Sequence, residues 1–599
     1  MRKGIMISFI ILLGLLFLPQ AVWSEDDSAK QEPNLTVEKL QEQILQLQKQ
    51  MDLLQTQLQA NQDPPAENAE PTEAEKELQE RLDAVEKKSA LDRLNFSGEI
   101  RVANDTLHGK LAPYFNGLQL QRGIVDSLFF MNTNPGIQLA PLPGDPNAIY
   151  QMLGSNITEH YAEYLQFVNN ISFDDLKAAM SQFTPEQQMG LMQMLLPATM
   201  RPEQDYDNSI LYTTRLRLNV KADIAPNLSF AGRLSMYKTW GDSSAVQIFN
   251  GQANSINLDG TTTSVPNGDA IRVDRAYFDW NHIGGSGLYL SLGRRPSSGG
   301  PPTEIRENRL RGGTPLGHVV DFQFDGVTVG YVFDSEKMPG AIYRFCYGLG
   351  YESGFGSGEQ LKAPADRLKD VHFGGVNLDL FSTEKTFLQT TVLRAWNVTD
   401  GFNSLVVMPV NPITGIPTSS SAITRFTPSR NLGNIDLAAG ALERTQGLFH
   451  MFASLAGMWS HPENVTTPFG GLFSDPFAIP ESHNAWSVYT GLRFDFPNGK
   501  TQIGGEYNYG SKYWFNFTQA ADDLVLSKLA TRGNVFEAYF NQMFGEHIQL
   551  RASGIEYLYD YSGSGWHLGE PKDLDEMPIL GFPTYEDVFD LRLSMTVKF

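Results

Sequence analysis

The sequence of 599 residues contains a single cysteine, Cys346. No intrachain disulfide can form, and no CxxCH site exists for covalent haem attachment. The ten histidines are scattered, and none sits in a GxSxG or HExxH setting. An enzyme needs a nucleophile, a base and an orienting group close together. No such constellation is legible, so the expectation is a non-enzyme with no cofactor and no metal. Positive charge is also short: 46 Lys and Arg stand against 68 Asp and Glu, a formal net charge of −22. That balance argues against a nucleic-acid partner, which calls for a basic patch or stripe. After the first two dozen residues no apolar run approaches the ~18 residues of a membrane-spanning helix.

What is present begins with an export signal. Arg2 and Lys3 precede the short apolar run Ile5 to Leu18, and Val22 and Ser24 fit the small-residue positions of a cleavage site. This predicts a signal peptide over 1–24. Residues 25–59 hold a heptad seam, Val37, Leu40, Ile44, Leu47, Met51, Leu54 and Leu58, spaced alternately by 3 and 4. With Val37 at position a, the flanking e and g positions are glutamines: Gln41, Gln43, Gln48, Gln50, Gln55 and Gln57. Neutral flanks remove repulsion between identical chains, which predicts a homotypic coiled coil and a homo-oligomer of undetermined number. The competing reading is an amphipathic helix packed on its own barrel. Pro64, Pro65 and Pro71 mark 60–71 as a linker, and 72–94 reads as a second helical segment.

From residue 95 the pattern changes. Runs such as "RLRLNVKA" (215–222) and "LYLSLG" (288–293) alternate apolar and polar residues. Sixteen such runs can be placed over 95–599, the last being "LRLSMTVKF" at its end. A phase shift at Asp325–Gly326 reads as a bulge. Connections alternate strictly between short ones, such as 382–385 and 544–547, and long ones, such as 297–319 and 514–532. Short turns on one side and long loops on the other are the mark of an outer-membrane barrel. The fold class is therefore an all-β membrane protein: an antiparallel transmembrane β-barrel preceded by an α-helical coiled coil. The apolar set should meet lipid and the polar set a water-filled lumen.

The strand ending in Phe599, with outward apolar residues two apart, resembles that of bacterial outer-membrane porins. There such a pattern is the signal read by the barrel-assembly machinery, which implies that role for Phe599. The stretches "GRLSMYKTWGD" (232–242), "VDRAYFDW" (273–280) and "LGRRPSSGGPPTEIRENRLRGGTP" (292–315) are similar to a domain-of-unknown-function family of porin-like barrels with a periplasmic coiled coil. The resemblance implies location in the bacterial outer membrane and a fold, not a solute. The first long connection, about 104–206, departs from ordinary porins.

Strand parity turns Arg101, Arg215, Arg217, Lys221, Arg233, Arg275 and Arg592 toward the lumen as a basic arc, with Lys598 beside them. Asp495, Glu506 and Glu537 form an acidic arc, expected on the opposite wall. Opposed charge rows would orient polar solutes across the pore. A local ion-pair network that stiffens the wall is the competing account, favoured by Glu99, Asp279 and Asp590 on the basic side. In the first connection Ser172 with Asp175, and Thr184 with Gln187 after which Pro185 begins a helix, predict two capped helices forming a constriction or lid. Met189, Met192, Met194 and Met200 suit helix packing better than copper ligation. Arg306, Arg309 and Arg311 lie on a loop that either folds inward or stays at the surface. The expected function is passive or weakly selective diffusion of small hydrophilic solutes or ions. Rival readings are a structural or adhesive anchor that touches peptidoglycan, and a sheath around a redox partner.

Overall fold

A computed structural model describes residues 94–599, apart from 138, 140–144, 243–263, 267, 356–360, 401–427 and 520. The signal peptide, the heptad seam Val37 to Leu58, the linker and nearly all of the second helical segment lie outside the described residues. Within them, sixteen strands pair antiparallel around a closed ring. In chain order they are β1 (Leu94–Leu111), β2 (Gln204–Ala225), β3 (Leu228–Thr239), β4 (Gly268–Trp280), β5 (Leu288–Arg294) and β6 (Asp325–Val332). There follow β7 (Ile342–Tyr351), β8 (Val371–Ser382), β9 (Thr386–Thr399), β10 (Asn431–Gln446) and β11 (Phe449–Pro462). The ring is completed by β12 (Asn484–Asp495), β13 (Thr501–Gly510), β14 (Gly533–Phe544), β15 (Ile548–Tyr559) and β16 (Tyr585–Lys598). No described helix is long and apolar enough to cross a membrane. Closure leaves the sheet no open edge, the condition for placing strands in hydrocarbon.

The alternation seen in the sequence becomes the two faces of the wall. On β16 Leu593 and Met595 are 60% and 44% exposed, whereas Ser594 and Thr596 between them are 5% and 7%. The same outward belt continues through Phe345, Val376, Leu455, Leu492 and Phe536. Charged outward side chains interrupt it, three of them paired with one another. Arg394, Asp436 and His461, on β9 to β11, form ion pairs of 3.5 and 2.9 Å on the outer face. A second departure is on the inside. Ile435, Leu437, Ala439 and Ala441 of β10 and Ala456 and Met458 of β11 are inward and apolar, packed against Leu316, Trp514, Phe515 and Phe517 from two loops. The lumen face is therefore not uniformly polar, because the loops bring their own apolar side chains to that sector. The phase shift at Asp325–Gly326 is not a bulge: β6 starts at Asp325 and pairs with β7 without interruption. The bulge that matters lies at Asp274, skipped between Arg233↔Arg275 and Leu234↔Val273. It turns both Asp274 and Arg275 inward.

All long loops leave one rim: L1 (112–203), L3 (295–324), L6 (463–483), L7 (511–532) and L8 (560–584) are those used below. L1 folds into five helices, α1 (Gly117–Thr133), α2 (Ala148–Glu159), α3 (Tyr161–Asn170), α4 (Phe173–Ser181) and α5 (Pro185–Leu195). The two capping boxes stand at the starts of α4 and α5. The helices share a core that includes Ile124, Leu153, Leu176, Met194 and Leu195. They meet the other loops rather than the wall: Phe173 packs on Phe477 of L6 at 5.6 Å, and Lys177 reaches Thr466 at 3.4 Å.

β16 closes on β1, and Phe599 exchanges two backbone hydrogen bonds with Gly98, of 2.9 and 3.0 Å. A Cβ at position 98 would lie 2.5 Å from the Phe599 ring and 2.8 Å from the Arg217 carbonyl. Only glycine permits this approach. Gly98→Val is expected to cost roughly 1–3 kcal/mol through overpacking at the seam. Heat-modifiable mobility of the refolded barrel should shift to lower temperature, and an unchanged transition would contradict the account.

Candidate functional site: the charged lumen

The site is built from register. Pairing of β1 with β2 sets Arg101 opposite Arg215 and Glu99 opposite Arg217. Two adjacent inward guanidiniums repel unless a counter-charge separates them, and such charges are costly to bury alone. Asp522 of L7 supplies it. Its carboxylate accepts short contacts from both Arg101 and Arg215, and a further bond of 3.0 Å from Arg101. Arg101 also donates to the Tyr237 hydroxyl at 3.2 Å, and Arg215 to Glu99 at 3.0 Å. Arg592, on the neighbouring β16, donates to Asp105 at 2.5 Å and to the Asp522 backbone carbonyl at 3.2 Å.

L3 enters from the other side. Its short helix α6 (Glu304–Glu307) carries Arg306, which bridges Asp523 of L7 and Glu537 of β14, both at 3.1 Å. The carbonyls of that helical turn, of which that of Ile305 also accepts from the Asn308 N–H, are capped by the wall. Arg493 donates to the Ile305 carbonyl at 2.7 Å, Asn541 to Arg306 and Gln549 to Glu307, both at 3.2 Å. Lys528 of L7 pairs with Glu506 and Glu537, and Arg551 reaches Glu537 at 2.6 Å. Arg309 reaches Glu99 at 3.4 Å, and Arg311 reaches Glu443 at 2.9 Å. The Arg306, Arg309 and Arg311 loop is thus the inward one. His318 of the same loop lies between the hydroxyls of Ser454 and Ser487, at 2.8 and 2.9 Å. Burial holds its imidazole down to about 3, so it is neutral.

Of the basic arc, Arg101, Arg215, Arg217, Arg233, Arg275 and Arg592 all sit in this interior. Arg233 pairs with Asp274 at 3.1 Å, and Arg275 donates to the carbonyls of Gly312 and Ser298 at 2.7 and 2.8 Å. Lys221 stands apart, 61% exposed near the short-turn rim beside Asp223. Of the acidic arc, Glu506 and Glu537 belong to the network, whereas Asp495 is paired with Arg493 and His450 near the same rim as Lys221. The arcs are not opposed. β14 is separated from β1 only by β15 and β16, so acidic and basic strands are near neighbours around the ring. The expectation of opposed walls uses ring closure to bring Arg592 beside the first strands but does not carry that closure on to β14.

Sequence reasoning also passed over L7. Its signal was the aromatic run Trp514, Phe515 and Phe517 followed by Asp522, Asp523 and Lys528, unusual content for a solvated loop. Cys346 points inward with Thr328, whose hydroxyl donates to its Sγ at 3.2 Å. Between L3 and the first four strands remains a polar cavity of about 180 Å³, lined by Glu99, Arg217, Arg233, Arg275, Arg309 and Asp321 among others.

A family model under the description "Protein of unknown function (DUF3373)" matches residues 205–599. No curated protein matches the chain. Solved structures that resemble it include Salmonella typhi OmpF in complex with daunomycin, at 8% identity, covering 84% of this chain and 97% of that one, with a TM-score of 0.36. Outer-membrane expressed OmpT of Vibrio cholerae follows at 10% identity, with the same coverages and a TM-score of 0.34.

Arg306→Ala leaves Asp523 and Glu537 short of a buried partner, a change expected to cost about 3–5 kcal/mol. The unfolding temperature should fall, and L3 should become cleavable by added protease while the barrel stays intact. Resistance equal to the wild type would show that Arg306 does not hold the loop.

Proposed function

Because this chain belongs to the family described as Protein of unknown function (DUF3373), a description that carries no activity, we propose one from the barrel itself. The protein is an outer-membrane channel for passive or weakly selective diffusion of small hydrophilic solutes or ions. The observation that carries this reading is a closed sixteen-stranded wall, apolar toward lipid, whose inward face on β1 to β4 and β12 to β16 is lined with charge. A barrel of that size encloses an aqueous channel rather than a side-chain core. L3 and L7 narrow it, and L1 lies over the loop rim as a lid rather than a plug. Lipid of the outer membrane, the barrel-assembly machinery reading β16 and Phe599, and further copies of the chain joined through the heptad seam are the partners this reading supplies. Peptidoglycan contact by the stalk is part of the same proposal.

Selectivity is assigned to the polar cavity rather than to opposed arcs. Arg217, Arg233, Arg275, Arg306 and Arg309 surround it together with Glu99, Glu304, Glu307, Asp321 and Asp522, so its field rests on a near balance of charge that loss of arginines would tip toward cations. Zero-current potentials in planar bilayers under a salt gradient test this. Arg217→Gln with Arg233→Gln should lower the anion-to-cation permeability ratio by roughly twofold or more. An unchanged ratio would remove the cavity from the solute path. A second reading, a barrel that only anchors its external loops, is favoured by the ion pairs that tie L3 and L7 to the wall. It predicts no channels at all in the same bilayers.

A further inference from the structure

At the loop rim, beneath the helical L1, lies a cavity of about 460 Å³ that plays no part in the charged lumen. Its walls come from α1 and α5, from L6 and from L8. They are largely apolar, with Leu118, Ile124, Phe469, Trp566, Leu568 and Phe582 among the lining side chains. Phe469 and Phe582 are stacked, with centroids 6.0 Å apart and planes 10° apart, and the stack gives the cavity an aromatic platform. The volume falls within the few hundred to ~1,000 Å³ of pockets for small organic ligands.

Behind the lining is Arg532, fully buried at the end of L7. Its guanidinium donates to three backbone carbonyls, those of Trp514 (3.0 Å), Ser562 (2.9 Å) and Trp566 (2.6 Å). A guanidinium has five N–H groups, so two remain. Among the described residues no carboxylate forms an ion pair with it. Burial brings it down to about 9, still charged at neutral pH. Gly563 is the gap in front of it: a Cβ there would stand 2.8 Å from Nη1. Asp475 and Glu570 also line the cavity, but both are engaged. Lys572 reaches them at 2.5 and 3.4 Å, and Lys512 reaches Glu570 at 3.4 Å. Both carboxylates of the lining are thus paired with lysines, and Arg532 is the lining's one cation, without an acid partner among the described residues, beside an apolar, aromatic space.

We propose that this cavity binds amphipathic monoanions, molecules with an aromatic or aliphatic body and a single carboxylate. The body lies on the Phe469–Phe582 platform and against Trp566. The carboxylate is drawn toward Gly563, where it neutralises the charge of Arg532 across a medium of low dielectric. The aromatic platform alone would accept any flat apolar molecule, so the buried charge sets the preference for anions. The proposal concerns binding at the rim and stands whether or not the barrel conducts.

The test is calorimetric titration of the full-length protein in lipid nanodiscs with 2-naphthoate, and with neutral 2-naphthylmethanol as the matched probe. Saturable naphthoate binding is expected, about tenfold tighter than the alcohol, with the preference lost in Arg532→Gln. Leu118→Glu, at the cavity wall on α1, places a competing carboxylate in the space and should abolish naphthoate binding in a chain that keeps Arg532. Equal affinity for the two probes in the wild type, or naphthoate binding unchanged by Leu118→Glu, would overturn the proposal.

Discussion

One carboxylate organises the interior. Asp522 sits between Arg101 and Arg215, two guanidiniums that strand register forces side by side on β1 and β2. Without a counter-charge in that position the wall would carry uncompensated buried charge at the seam of the barrel, where β16 closes on β1. With it, L7 is fixed inside the ring. Asp523 beside it then meets Arg306, which fixes L3, and Glu537 ties both loops to the far side of the seam. The lumen is thus shaped by electrostatic necessity. A wall that presents arginines to water needs none of this, but a wall that presents them to incoming loops needs an acid for nearly every base.

This arrangement decides which properties were legible from the amino acids. The strand count and the alternation of short and long connections follow from local periodicity, which survives whatever the loops do. Leu591, Leu593 and Met595 face outward because their neighbours Arg592 and Ser594 face inward, and nothing remote can change that. Arg275 is inward despite the irregularity in its strand, since the bulge at Asp274 adds an inward residue rather than removing one. The partners of the inward charges were not legible. Asp522 is more than 400 positions from Arg101 in sequence (421 apart), and no local pattern signals such a contact. The apolar inner face of β10 and β11 escaped for the same reason, because its packing partners are loop aromatics.

The rim is built on a different principle from the lumen. Where L3 and L7 match base to acid, L1 brings a separate helical core, with its own capped helices, over L6 and L8. The interface between them is largely apolar and leaves a cavity, with Arg532 held by three carbonyls and the face of Phe473. The loop rim thus holds an apolar cavity, and the lumen a separate polar one. That division distinguishes the molecule from a simple water-filled tube.

A diffusion channel of this build must let small hydrophilic solutes pass L3 and L7. Osmotic swelling of proteoliposomes in sugars of graded size tests it most directly. The account predicts swelling in a pentose at rates well above protein-free vesicles, and little or none in a trisaccharide, because the inserted loops set a narrow limit. Rates equal to protein-free vesicles for every sugar would contradict it.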